Sequence, residues 1–398
     1  MKGKRKLTPR RAVWAGLLAT PVLAIAVVFA LGVAGATAGP NTANTAAAAA
    51  DVTPVTHAAR QTVAQVAAYW TPERMAAAEP YPMPTRSGSP STPAGTLIPM
   101  AEPSGEPGAI AGGLPGGVAL PQPASQEIGS SQEPQHHPYL TQVPYTRWST
   151  IGRYDKFPNY AVLKMFFSQD HDANGSVSSF VCSASVVSPD SAWTAGHCLS
   201  NNTGLGADLG WSTNVLVCPV YDNGFVHGHG CWGWDLIAVP AAWRAGGGGN
   251  VDWGGIDTSA NGTVIPGELG THTGYLGFAW NQSRDQHWTA MGYPAGTPFA
   301  GGKMIMAASG YGYDDDWSPD AVLGVAMGSD LTGGSSGGPW ILQYGLLGQV
   351  GGLAGNFVNG HNDWRWTGAG VPNQMVSPYY DCRVMQTYNV VHGTSFCP

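Results

Sequence analysis

The chain has 398 residues, room for one large domain or two smaller ones with additional segments. Charged side chains make up 11% of it, against roughly 25% in an average domain, while Gly (56) and Trp (15) are plentiful. That balance points away from a helical cytosolic protein and toward a rigid, loop-rich β protein outside the cell. The net charge is −7, and from Arg147 onward 9 Lys and Arg stand against 18 Asp and Glu, a surface that gives no reason to expect nucleic acid binding.

Six basic side chains fall within residues 1–11, followed by an uncharged stretch to Ala50 that is strongly apolar from Val13 to Val33. Ala36-Thr-Ala38 then offers small residues at the −3 and −1 positions of a cleavage site, so residues 1–38 read as an export signal. The alternative is an uncleaved membrane anchor, since the run approaches the ~18–20 residues that span a bilayer. Residues 39–145 are dominated by Ala, Pro, Ser and Gly, a composition expected to give extended, poorly ordered chain. Within them Thr62 to Ala78 has helical spacing, with a Thr71-Pro72 start. Two readings stay open for it: a helix stranded in a linker, or a pro-segment docked on the later part of the chain.

From residue 146 the texture changes to short β-rich runs (Tyr160–Phe167, Val181–Val187, Val215–Cys218, Gln349–Leu353) between Gly/Asn/Asp turns. About 250 residues of short strands suit an all-β barrel pair or sandwich; a helix at the very end has only a poor signal. All six cysteines lie here: Cys182, Cys198, Cys218, Cys231, Cys382 and Cys397. An even count behind an export signal points to disulfides, and pairing each with its neighbour closes three short loops. A zinc site at His227, His229 and Cys231 is the alternative, without any CxxC spacing to support it. The acidic run Asp314-Asp-Asp316 reads as a solvated loop, with a stabilising calcium as its alternative. No cofactor is expected.

Two motifs carry chemistry. Asp330-Leu-Thr-Gly-Gly-Ser-Ser-Gly-Gly-Pro-Trp340 sets a serine pair among glycines that let the backbone turn tightly and aim its N–H groups at a carbonyl. Upstream, Thr194-Ala-Gly-His-Cys198 supplies the imidazole that a serine hydroxyl needs as a base. Together these motifs resemble the chymotrypsin-like serine peptidases, in particular the secreted bacterial branch that includes the glutamyl endopeptidases. Val181-Cys-Ser-Ala-Ser185, Gly292-Tyr-Pro294 and Leu331-Thr-Gly-Gly-Ser335 support the resemblance, which covers residues 151–356. Trp70-Thr-Pro-Glu-Arg-Met75 is similar to pro-regions of actinobacterial relatives.

The resemblance implies a double β-barrel at residues 146–398 and a secreted, monomeric serine endopeptidase acting on protein or peptide. A membrane would enter only through an uncleaved leader. It implies His197 as general base, Ser336 as nucleophile, and the backbone amides of Gly334 and Ser336 as the oxyanion hole. The orienting carboxylate lies between base and nucleophile: Asp252, flanked by Trp253-Gly-Gly-Ile256, fits the family pattern, with Asp235 and then Asp257 behind it. Asp330, six residues before Ser336, stands where the family has the base of its primary pocket. No histidine falls on the expected pocket wall at residues 353–357, His361 being a little beyond. Ser335 stands where animal relatives carry an aspartate that pairs with a new N-terminus, so Thr150-Ile-Gly152 resembles a cut site only superficially. A non-catalytic binding protein on a peptidase scaffold is the reading from another class.

Overall fold

The alternating apolar runs close into a barrel. A computed structural model describes residues 51–87, 105–128, 145–150, 153–203, 209–226, 228–284, 286–302, 306–314, 324–346, 355–367 and 373–397. The leader at 1–38, the Gln349–Leu353 run, His227, and Asp315 and Asp316 of the acidic run lie outside these residues. Six strands form the first barrel, each antiparallel to its neighbours: Val162–Gln169, Ser178–Val186, Ser191–Thr194, Gly254–Gly262, Trp232–Pro240 and Thr213–Pro219, which returns to the first. The Val162–Gln169 strand is buried along its whole length, so its outward-facing residues are covered as well as those that face the barrel core. Its one cation, Lys164, donates to the Gly301 carbonyl at 2.6 Å and is pushed down to about 7 by burial.

A second sheet carries Gln374–Pro378, Gly324–Gly328, Met306–Asp314, His287–Gly292, Pro339–Leu342, Phe357–His361 and Gly277–Trp280 in spatial order. The architecture is the chymotrypsin-like double barrel. All three neighbour disulfides form: Cys182–Cys198, Cys218–Cys231 and Cys382–Cys397. Cys231 is thereby spent, and the tempting His229 lies edge-on to Tyr160 instead. The weakly signalled terminal helix is real, spanning Cys382–His392. The Asp381 side chain caps its start and Gly393, at φ 62°, ends it in the left-handed region. Removing the Cys182–Cys198 bridge, whose partners are 16 residues apart, by paired alanine substitution is expected to cost about 3 kcal/mol. Denaturant midpoints of variant and parent check this.

Residues 51–87 and 105–128 of the Pro/Ala-rich stretch, expected to be extended and poorly ordered, are laid on the barrels instead. Pro54–Ala58 adds an antiparallel strand to Trp232–Pro240, and Gly108–Ile110 adds one to Gly277–Trp280. Between them the helical island forms two short helices. Thr62 and Gln65 make a capping box at Val63–Tyr69, and Thr71 caps Pro72–Ala77 with proline in the first turn. Val66 and Trp70 are buried, and the Trp70 indole donates to the Asn214 carbonyl at 2.6 Å. The island is thus packed on the first barrel rather than stranded. Neighbouring strand edges supply the partners that such a segment lacks on its own.

Candidate active site

The Thr194-Ala-Gly-His-Cys198 segment leaves the Ser191–Thr194 strand and makes one 3₁₀ turn at Gly196–Cys198. The disulfide from Cys198 to the neighbouring strand pins that turn. His197 is 2% exposed. Its Nδ1 lies 2.9 Å from Oδ2 of Asp252, whose Oδ1 accepts the His197 backbone N–H at 2.7 Å. One carboxylate therefore holds both the ring and the backbone of the same residue. Of the other two candidates, Asp235 is exposed and Asp257 half-buried, away from this contact.

Behind Asp252 stands His361, which the sequence places only near the expected pocket wall. Its Nε2 is 2.9 Å from the Asp252 carbonyl and its Nδ1 2.8 Å from the Tyr380 hydroxyl, which accepts from the Trp193 indole at 2.6 Å. Burial pushes His361 down to about 4, so it is a neutral strut in the core behind Asp252.

The glycine-rich loop folds over the same place. Gly334 (φ 91°) and Gly337 (φ 78°) adopt backbone that favours glycine. A Cβ on Gly337 would also strike the Thr194 hydroxyl. Ser335 is turned away: its hydroxyl donates to the Thr332 carbonyl at 2.7 Å. The Ser336 carbonyl accepts the Ser183 N–H at 2.8 Å and lies 3.8 Å from the Cys198 sulfur, one residue from His197. Ser336 Oγ and His197 Nε2 are both buried, and neither has a hydrogen-bond partner among the described residues. Within the same limits, the amides of Gly334 and Ser336 donate no hydrogen bond.

Asp330 is not a free charge: Arg147 pairs with it at 2.7 Å. Two residues that sequence reasoning missed also lie at the site. Asp363, wholly buried, brings Oδ1 to 3.5 Å from His197 Nδ1; it sits in the polar run Asn359-Gly-His-Asn-Asp363 before Trp364, where an aspartate carries no signal of burial. Tyr81, from the docked N-terminal segment, stacks its ring on the His197 imidazole, with centroids 5.2 Å apart and planes at 27°. Nothing in the local sequence around Tyr81 announces that contact.

No family model matches the chain, and no curated protein does. Solved structures do. The protease Anisep from Arthrobacter nicotinovorans is 26% identical, with a TM-score of 0.50 over 63% of this chain and 100% of its own. A thermostable serine protease, AL20, from an extremophilic microorganism is 29% identical at TM-score 0.49, covering 59% of this chain and 98% of that one. A Glu endopeptidase is 16% identical at TM-score 0.46, covering 64% and 100%. The class defined by the fold is the chymotrypsin-like double barrel. Within it, the chain resembles the bacterial serine peptidases in motif and in architecture alike.

Proposed function

We propose that this chain is a secreted serine endopeptidase, made as a precursor and hydrolysing peptide bonds through an acyl-enzyme. The observation that carries the proposal is the state of His197. Its Nδ1 is tied to a buried carboxylate, while its Nε2 and the Ser336 hydroxyl are both buried and uncommitted. In this reading Nε2 takes the Ser336 proton as Oγ attacks the scissile carbonyl, then gives it to the leaving amine. Asp252 holds the productive tautomer and stabilises the imidazolium. The Gly334 and Ser336 amides receive the oxyanion, and water repeats the sequence to release the acid. The pairing of Asp330 with Arg147 argues against a bare acidic pocket floor that would select Lys or Arg. Three disulfides suit the oxidising compartment that export implies.

The N-terminal segment supports the precursor half of the proposal. Glu79 and Pro80 run parallel to Phe180 and Val181, Tyr81 covers the imidazole, and Thr85–Ser87 runs parallel to Arg365–Thr367. On the way the strap crosses the nucleophile loop, the Tyr81 carbonyl lying 2.9 Å from where a Gly333 Cβ would stand. Substrate and strap compete for this space, so activation means its removal.

An active-site-directed fluorophosphonate tests the chemistry. Processed protein is expected to label on Ser336, and Ser336→Ala to abolish the label. Absence of labelling, or labelling that survives the substitution, overturns the enzyme reading in favour of a binding protein.

A further inference from the structure

Beside the base and its carboxylate lies a second buried acid to which the triad mechanism gives no role. We infer that Asp363 is a positioning residue of this site: its carboxylic acid donates a hydrogen bond to the Asp252 carboxylate and so fixes the oxygen that receives the His197 Nδ1 proton. The inference rests on the reading of His197 and Asp252 as base and orienting acid.

Asp363 follows the Phe357–His361 strand, its backbone N–H anchored on the Val376 carbonyl at 3.1 Å. It is 0% exposed, and its nearest carboxylate oxygen, with His197 Nδ1 and an Asp252 oxygen, forms a cluster whose atoms all lie within 4.8 Å of one another. Neither Asp363 oxygen has a hydrogen-bond partner among the described residues. An ionised carboxylate only accepts hydrogen bonds, so two of them within 4.8 Å have no hydrogen bond to share until one carries a proton. A bare charge buried without donors is far costlier than a neutral acid that donates.

The two acids are not equivalent. Burial alone would raise Asp252, but the charge and hydrogen bond of His197 outweigh it and hold that carboxyl below its ordinary range. Asp363 has only the longer, 3.5 Å approach to the imidazole. Burial, followed by the charge of Asp252, drives it well above the carboxylate range. The proton therefore resides on Asp363. The other titratable groups around this pair are His361 and Tyr380 behind it and Tyr81 over the imidazole; burial keeps all three neutral near pH 7.

The placement matters for the base as well as for geometry. Burial would lower the His197 pKa, yet Asp252 and then Asp363 outweigh it and push the imidazole up to about 9. A base held protonated at neutral pH takes no proton from Ser336. Discharging Asp363 removes the second of those two anionic influences while leaving the one that orients the ring.

The first test needs no activity. Full-length chain carrying Ser336→Ala is compared by difference infrared spectroscopy with the same chain carrying Asp363→Asn as well. A carbonyl band of a neutral carboxylic acid at neutral pH, shifted by deuteration and lost with Asp363→Asn, is expected. Its absence overturns the inference. The second test is kinetic, on the processed enzyme. Asp363→Ala is expected to lower kcat by ~10–100-fold, the usual cost of losing a partner that orients a functional ligand, with KM little changed. Asp363→Asn, which keeps a donor toward Asp252, is expected to recover most of that loss and to flatten the alkaline limb of the pH–kcat profile. Equal damage from both variants, or none from either, overturns the inference. If the parent takes up no fluorophosphonate, the peptidase reading fails by itself, and the infrared band still decides where the proton sits.

Discussion

Asp252→Asn is expected to lower kcat by about 10⁴-fold, with KM and the folded state little changed. Asp252 accepts from the His197 ring at 2.9 Å and from its backbone at 2.7 Å, and asparagine would keep the shape of both contacts. What it would lose is the tautomer. An amide N–H facing Nδ1 favours the ring form with its proton on Nε2, so no lone pair faces Ser336. Asp363 does not rescue the loss, because 3.5 Å to the same nitrogen is too long for a hydrogen bond of full strength. Steady-state hydrolysis of a peptide ester by processed protein, with circular dichroism to check the fold, measures the effect. A loss smaller than tenfold would mean that some other group orients the base.

Much of this site was legible because its chemistry is local. The histidine turn is set by its neighbours Ala195, Gly196 and Cys198. The nucleophile loop needs Gly334 and Gly337 at positive φ, which the glycine pairs flanking Ser335-Ser336 advertise. The barrel strands were legible as short apolar runs, and the disulfides followed from spacing. Asp252 could be preferred over Asp235 because its flanks match the family, but its dual grip on His197 is a long-range fact that no window of sequence contains. Asp363 and His361 illustrate the limit. Both sit in the polar run Asn359-Gly-His-Asn-Asp363, which reads locally as exposed, yet both are buried against His197 and Asp252, 109 residues away or more. The strap at 79–87 failed for a different reason. With prolines at 80, 82 and 84 it offers few N–H donors and too little apolar surface to predict order by itself. It is ordered by edges and by an imidazole that belong to the barrels.

The strap makes the second large prediction. In the full-length chain, Trp70→Ala is expected to speed fluorophosphonate labelling of Ser336 by roughly 10²–10³-fold. Trp70 is 4% exposed, packs against Phe166 with centroids 5.4 Å apart and donates to the Asn214 carbonyl. Truncating a buried tryptophan costs about 3–5 kcal/mol, and each ~1.4 kcal/mol is a factor of ten in the population of the undocked state. Only that state exposes the His197 imidazole and leaves the nucleophile loop free of the Tyr81 carbonyl. Tyr81→Ala, which uncovers the imidazole without loosening the helices, is expected to have a smaller effect of the same sign. Reading the label on the uncleaved band keeps processing out of the measurement. If the uncleaved parent already labels as fast as processed enzyme, the strap is not inhibitory. If it labels slowly and Trp70→Ala changes nothing, the latch lies elsewhere, in the Pro54–Ala58 strand or the Glu79–Pro80 pairing on the first barrel.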